Sequence, residues 1–232
     1  MSDIVTESPI PADDVVVPSD SGLILCFAQQ FLTTDGHGTR TRVPGSDALV
    51  PTRELSELLV TAALASLLRR ARASVAQVEK KVLFVKTRSL VVKVPAGVRF
   101  EDEPRSSLEY DLLKVASVEK GEFGPRQLIR GMYGSDVADP WAKVVDFALA
   151  NLIRAGLGVG HHEQQGGIKG HLQHTVLIVD WSPDKLAPLA EPAAAAWASF
   201  QAWAGAEPLA AAIRSEVASA IASRREQDDD SE

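Results

Sequence analysis

The sequence is poor in residues that build covalent frameworks, with one cysteine, Cys26, among 232 residues. A single cysteine excludes an internal disulfide and a zinc centre made of cysteine thiolates. Cys26 lies in the apolar run GLILCFAQQFL. We therefore expect a buried thiol rather than a reactive one.

Long apolar runs are also lacking, because none approaches the roughly 18 residues that a membrane-spanning helix needs. The first residues, MSDIVTESPIPADD, are acidic. They have neither the basic region nor the apolar region of a secretory signal peptide. We expect a cytoplasmic protein, either free or bound peripherally to a membrane.

Recognisable catalytic and cofactor motifs are missing as well. The glycines of GVGHHEQQGG lack the strand–loop–helix setting of a phosphate-binding loop. No pattern around a serine resembles a nucleophile elbow. No two carboxylates have a spacing that assigns them acid and base roles. The sequence therefore predicts a protein that is not an enzyme and that needs no cofactor.

The charged residues that are present are segregated along the chain. All 24 lysines and arginines lie in residues 40–225, whereas the first 39 residues and the tail from Glu226 have acids as their only charged residues. Acidic ends of this kind usually stay unfolded and solvate a chain. We expect disorder in residues 1–20 and 223–232, and one compact domain in residues 21–222.

Two segments of the sequence are nearly alike, ALASLLRRA at residues 63–71 and ALANLIRAG at residues 148–156. Each ends an amphipathic helix and precedes an apparent β-hairpin, and a hairpin of this size must pack on its helix to be stable. We therefore predict a mainly α fold with β-hairpins, built from duplicated winged-helix-like units at about 52–97 and 140–181. Chance similarity between two helices rich in alanine and leucine is the alternative.

Local signals place the remaining elements. Thr52 is predicted to cap a helix with one apolar face, after a loop at 40–51. Two β-branched runs, Val82–Val85 and Leu90–Val94, predict a hairpin that turns at Lys86–Ser89. Further helices are expected over SSLEYDLLKVAS, GPRQLIRGM, PWAKVVDFALANLIRAG and AAAAWASFQAWAG, with a last helix whose stripe is Leu209, Ile213, Val217 and Ile221.

A basic stretch is the strongest functional signal. From Arg53 to Lys93 there are nine bases against three acids. Such a surface suits anionic lipid head groups or nucleic-acid phosphates. The alternative is a solvated face whose arginines match the negative end of a helix. The candidate lipid- or anion-binding residues are Arg69, Arg70, Arg72, Lys80, Lys81, Arg88, Lys143 and Arg154.

Four of the five histidines lie within fourteen residues of the second hairpin: His161, His162, His171 and His174. A turn at Gly166-Gly167 would bring residues near 161 opposite residues near 172, where neutral imidazoles are zinc ligands. Their spacing matches no standard motif, so they are weak metal candidates, and a wet polar hairpin is the preferred interpretation.

The order of elements over about residues 22–180 resembles the Golgi phosphoprotein 3 family, in particular its bacterial-type members. LILCFAQQFLTTDGHGT, LLVTAALASLLRRARASV, SSLEYDLLKV, GPRQLIRGM and VVDFALANLIRAGLGV carry the resemblance. The resemblance implies a mainly helical fold and a protein without enzymatic activity. In eukaryotic members, arginines and a tryptophan hold a phosphoinositide head group, and an apolar hairpin enters the bilayer. At the family's arginine positions this sequence has Val60, Lys143, Val145 and Phe147.

These observations favour a non-enzymatic binding or adaptor protein that associates peripherally with anionic membrane lipid or with a protein partner. Ile168 and Leu172 would be the hairpin residues that touch a membrane or partner. A tandem winged-helix regulator that binds DNA is the first alternative. A structural or assembly subunit without a ligand, including a homo-oligomer, is the second.

Overall fold

A computed structural model of the chain describes residues 18–32, 39–82, 85–105, 107–118, 124–132, 139–166 and 173–222. Helices predominate there, which confirms the expectation of a mainly helical domain. They are α1 (Asp20–Cys26), α2 (Thr52–Arg69), α3 (Leu108–Val118), α4 (Pro125–Met132), α5 (Pro140–Arg154), α6 (Pro183–Leu186), α7 (Ala190–Ala206) and α8 (Ala210–Ala222). Short 3-10 turns lie at Ala28–Gln30, Phe100–Asp102 and Ala187–Leu189.

The strands form antiparallel hairpins. They are β1 (Arg40–Arg42) with β2 (Leu49–Pro51), β3 (Ser74–Val82) with β4 (Val85–Lys93), and β5 (Gly158–Gly166) with β6 (Gln173–Trp181). The first of these lies where a loop was expected, so that expectation was wrong. Its strands have three residues each, which is too short for an alternating pattern to be recognised in a sequence.

Helix α2 lies at the centre of the molecule and packs against α1, α3, α5, α7 and α8. Its buried residues are Leu55, Leu59, Val60, Leu64 and Leu67 together with small alanine, serine and threonine side chains. They occupy more of the circumference than the single apolar face that the sequence predicts. A helix surrounded by neighbours is buried on most sides, and the small residues allow their close approach.

The start of α2 differs from the prediction. Thr52 is the first helical residue and the preceding Pro51 is the N-cap, with no side-chain cap bond. The hydroxyl groups of Thr52 and Thr41 instead share a hydrogen bond at 2.9 Å. This bond joins α2 to the β1–β2 hairpin, so the threonine fastens the helix to a neighbouring element rather than closing its own end.

The two similar sequence segments end their helices in the same way. Ala71 after α2 and Gly156 after α5 both have positive φ angles, 54° and 75°. The amides of Arg72 and Leu157 then donate to carbonyl oxygens five residues earlier, at 2.8 and 3.1 Å. This is the Schellman arrangement of a helix C-terminus. The sequence repeat therefore marks a repeated turn from helix into hairpin.

The C-terminal helices close the core as predicted. Ile213, Val217 and Ile221 of α8 are buried, which confirms three of the four stripe residues. The fourth, Leu209, precedes the helix and is half-buried. On α7, the Trp197 ring stacks on Phe31 with 4.3 Å between ring centroids. One hydrophobic cluster includes residues from α1 through α8, so the described helices share one core.

Candidate functional site

Arg69 connects the end of α2 to the start of α1. Its guanidinium donates to Asp20 Oδ2 at 2.6 Å, and the Ser66 hydroxyl donates to the same oxygen at 2.8 Å. Asp20 lies inside the segment expected to be disordered, yet it begins α1 after a Ser19 N-cap. This candidate anion-binding arginine already has an anionic partner within the chain.

Arg70 and Arg72 meet at a buried carboxylate, Glu103. The Arg70 guanidinium donates to Glu103 Oε2 at 2.8 Å, and Arg72 Nε lies 3.2 Å from Glu103 Oε1. The Glu103 side chain is 1% exposed. Arg72 also donates to Asp102 Oδ2 at 3.1 Å and to the Arg99 carbonyl oxygen at 2.6 Å. These arginines hold the segment after β4 against the end of α2.

The remaining basic candidates of the stretch, Lys80, Lys81 and Arg88, lie on the β3–β4 hairpin. The strand register places Lys81 opposite Lys86, Glu79 opposite Arg88 and Lys80 opposite Thr87. The described part of the hairpin is anchored at its base, where Leu90, Val91 and Val92 are at most 5% exposed. β4 packs there against α4.

The register also corrects the predicted turn of this hairpin. Val82 pairs with Val85 and Lys86 pairs with Lys81, so Lys86–Ser89 belongs to a strand. The sequence contains a signal for this turn, because the apolar segment VLFV has Lys80 and Lys81 on one side and Lys86 on the other. Beyond the Gln77–Leu90 pair the strands stay paired for five more residues each. This part of the hairpin is about 17 Å long at the usual rise of a strand.

Lys143 and Arg154 lie near opposite ends of α5 and do not join the arginines of α2. The Lys143 ammonium lies 5.1 Å from the Phe147 ring centroid, one helical turn away. Arg154 is close enough to Asp111 to lower the pKa of that carboxyl, against a larger increase in the same pKa caused by burial. The eight predicted residues are therefore divided among several surfaces.

The register of the second hairpin differs from the expected one. His161 pairs with Ile178 and His174 pairs with Gln165, because the strand register is centred between residues 169 and 170 rather than at Gly166-Gly167. The His161 Nδ1 lies 3.6 Å from Asp180 Oδ2. In the parts of the chain that are described, no group of three or more candidate metal ligands occurs.

Three of the residues predicted for this hairpin lie outside the described residues: Ile168, His171 and Leu172. The described end of β6 lines an open cleft of about 440 Å³, with Arg40, Asp146 and Trp181 among the lining residues. Desolvation raises the pKa of the Asp146 carboxyl, and nearby Lys143 lowers it by less. The cleft therefore combines both signs of charge with an indole ring.

A polar cluster beneath α1 was not predicted. Glu109 is fully buried and accepts hydrogen bonds from the Ser21 amide at 3.1 Å and the Ser21 hydroxyl at 2.7 Å. Burial raises the pKa of Glu109, and the hydrogen bonds from Ser21 lower it by less. Burial also raises the pKa of Cys26 to about 12, which confirms the expectation of a buried thiol.

No helix in the described ranges is both long enough and apolar enough to cross a membrane. No protein-family model matches this chain, and no curated protein or solved structure matches it either. Its function is therefore inferred from the placement and chemistry of its own residues.

Proposed function

We propose that this chain is a non-enzymatic adaptor that docks peripherally on anionic membrane surfaces through the β3–β4 hairpin. One observation carries the proposal. The register sets Lys81 opposite Lys86 next to the pair Val82–Val85, at the end of a hairpin whose base is buried. Basic residues beside apolar ones are the combination by which proteins bind anionic head groups and the underlying acyl boundary.

In this proposal an anionic surface offsets the cost of having two like charges opposite each other in a strand register, so that binding and hairpin stability support each other. Near such a surface a base contributes about 1 kcal/mol. Lys80, Lys81, Lys86 and Arg88 together would supply about 4 kcal/mol, or about a thousandfold in affinity.

The arginines at the end of α2 contribute less in this proposal, because Asp20, Asp102 and Glu103 already accept their hydrogen bonds. The α2 and α5 helices with their hairpins then act as two winged-helix-like units. The β5–β6 hairpin, with Ile168 and Leu172, would supply a second contact with the membrane.

The test is co-sedimentation with vesicles of phosphatidylcholine alone or mixed with phosphatidylserine, at low and moderate salt. We expect binding to the anionic vesicles only, weakening as salt is added. The double variant Lys81→Gln/Lys86→Gln should bind about 30-fold more weakly. The control Lys114→Gln/Arg42→Gln removes the same charge from exposed sites on α3 and β1, and it should retain most of the affinity.

A second variant distinguishes binding to a membrane from binding to nucleic acid. Val82→Ser/Val85→Ser keeps every charge, so it should weaken vesicle binding while leaving any retention of duplex DNA unchanged. If the hairpin variants lose DNA binding and the parent chain ignores vesicles, the DNA-binding regulator replaces our proposal. If the parent chain binds neither and elutes as a stable oligomer, the assembly subunit replaces it.

A further inference from the structure

A second cavity has residues of α2, α7 and α8 in its lining. It is a half-open groove of about 280 Å³ between α2, α7 and α8. Its apolar lining includes Leu32, Leu58 and Trp197, all of which are partly exposed. The stacking of Trp197 on Phe31, at 4.3 Å between centroids, holds the indole in place. An aromatic wall in a small cavity offers a preformed surface for an apolar group.

The groove carries opposite charges on its two sides. Glu54 and Glu57 line it from α2, and Arg214 lines it from α8. Glu57 accepts a hydrogen bond from Arg53 at 3.0 Å. In the described part of the chain, Glu54 forms no hydrogen bond or ion pair. The guanidinium carbon of Arg214 lies 5.4 Å from the Phe200 ring centroid, and Arg214 has no carboxylate partner among the described residues.

This arrangement disfavours any ligand that carries only positive or only negative charge. An organic cation is attracted by the carboxylates and repelled by Arg214, and an anion meets the reverse. A neutral apolar molecule would pair with neither Glu54 nor Arg214. A small zwitterion satisfies both, because its carboxylate pairs with the fork of a guanidinium and its ammonium pairs with a carboxylate or an aromatic face.

We infer that this groove binds a free α-amino acid with an apolar side chain. The carboxylate of the ligand lies towards Arg214, the ammonium group towards Glu54 and Glu57, and the side chain against Trp197. The volume is just below the range of about 300–1,000 Å³ usual for sites of drug-sized ligands, which suits a molecule the size of leucine or phenylalanine. In a peptide the free ammonium and carboxylate groups belong to different residues, so they lie farther apart than the two groups of a single amino acid.

The test is calorimetric titration of the full chain, without vesicles, with L-leucine, N-acetyl-L-leucine and L-leucinamide. L-leucine should bind saturably, and each blocked derivative at least tenfold more weakly. In Arg214→Gln, leucinamide should bind at least as well as leucine. In Glu54→Gln, where Glu57 is the carboxylate left for the ammonium group, the preference for leucine over N-acetyl-leucine should become smaller. Arg42→Gln, which removes an exposed arginine elsewhere, should behave like the parent chain.

The inference fails if no saturable heat appears with leucine or phenylalanine up to about 1 mM, because a preformed site with two charged sides should bind them more tightly than that. It also fails if a blocked derivative or a short peptide binds more tightly than the free amino acid. Reduced selectivity in both groove variants, with circular dichroism unchanged, would support it. Because vesicles are absent, the result is independent of the proposed membrane docking.

Discussion

Exchanging glycine and alanine at the two repeated helix ends should change stability in opposite directions. Gly156→Ala places a side chain on a residue whose φ is +75°, and Ala71→Gly relieves a residue whose φ is +54°. A Cβ at position 156 would have Lys185 Nζ as its nearest neighbour, at 3.7 Å, which is ordinary van der Waals distance. The effect there is therefore conformational and not a steric clash.

The magnitude follows from two opposing contributions. The left-handed conformation costs a residue with a Cβ about 1–2 kcal/mol. Glycine in turn makes the unfolded chain more flexible, which lowers stability by about 0.4–1 kcal/mol. Gly156→Ala should therefore lower the free energy of unfolding by about 0.5–1 kcal/mol, and Ala71→Gly should raise it by a similar amount.

Urea unfolding followed by tryptophan fluorescence measures both changes, and the dependence of the free energy on urea should stay constant. Gly205→Ala is the matched control. Gly205 is helical and a Cβ there has nothing within 4 Å, so that variant should gain about 0.5 kcal/mol. A loss of stability in Ala71→Gly, or a gain in Gly156→Ala, would refute the shared helix-end geometry.

Three further predictions concern buried groups. Because burial raises the pKa of Glu109, the folded state binds more protons than the unfolded state. Stability should therefore fall as pH rises from about 4.5 through the folded pKa. Glu109→Gln should flatten this fall in urea titrations across that pH range, and an unchanged dependence of stability on pH would contradict the prediction. Glu103→Ala should cost about 2–3 kcal/mol, since it removes the carboxylate that lies 3.2 Å from the buried Arg72 Nε. Asp102→Ala, whose side chain is 53% exposed, should cost less than about 1 kcal/mol. Equal losses in thermal unfolding would contradict the burial argument. Cys26, 2% exposed and with a pKa of about 12, should react with a thiol reagent only as fast as the chain unfolds, and rapid labelling of folded protein would show otherwise.

Much of the fold could be predicted because its signals are local. Pro140 at the start of α5, Gly156 at its end and the stripe of α8 each depend on neighbours within four residues. The short β1–β2 hairpin and the buried circumference of α2 could not be predicted in this way. The first is too short to show a period, and the second depends on which helices surround α2.

The candidate site was less accessible to sequence reasoning. Nine bases in one stretch indicated an anion-binding surface, but the partner of Arg70 is 33 residues away along the chain. The partner of Arg69 is 49 residues away and precedes the stretch. A count of local charge could not show that these arginines are paired, because pairing depends on contacts between distant segments.

The sequence by itself determined the longer helices, the two long hairpins and the repeated turn from helix into hairpin, because these follow from residue periodicity and from backbone preferences at single positions. The short helices α1 and α6 were not determined in this way. Only the tertiary structure decided which basic residues are paired with acids inside the fold. It also decided the registers, which set Lys81 opposite Lys86 and place His161 and His174 in different residue pairs. The groove with opposite charges exists only because α2, α7 and α8 meet, since its sides come from residues more than 150 positions apart in the chain.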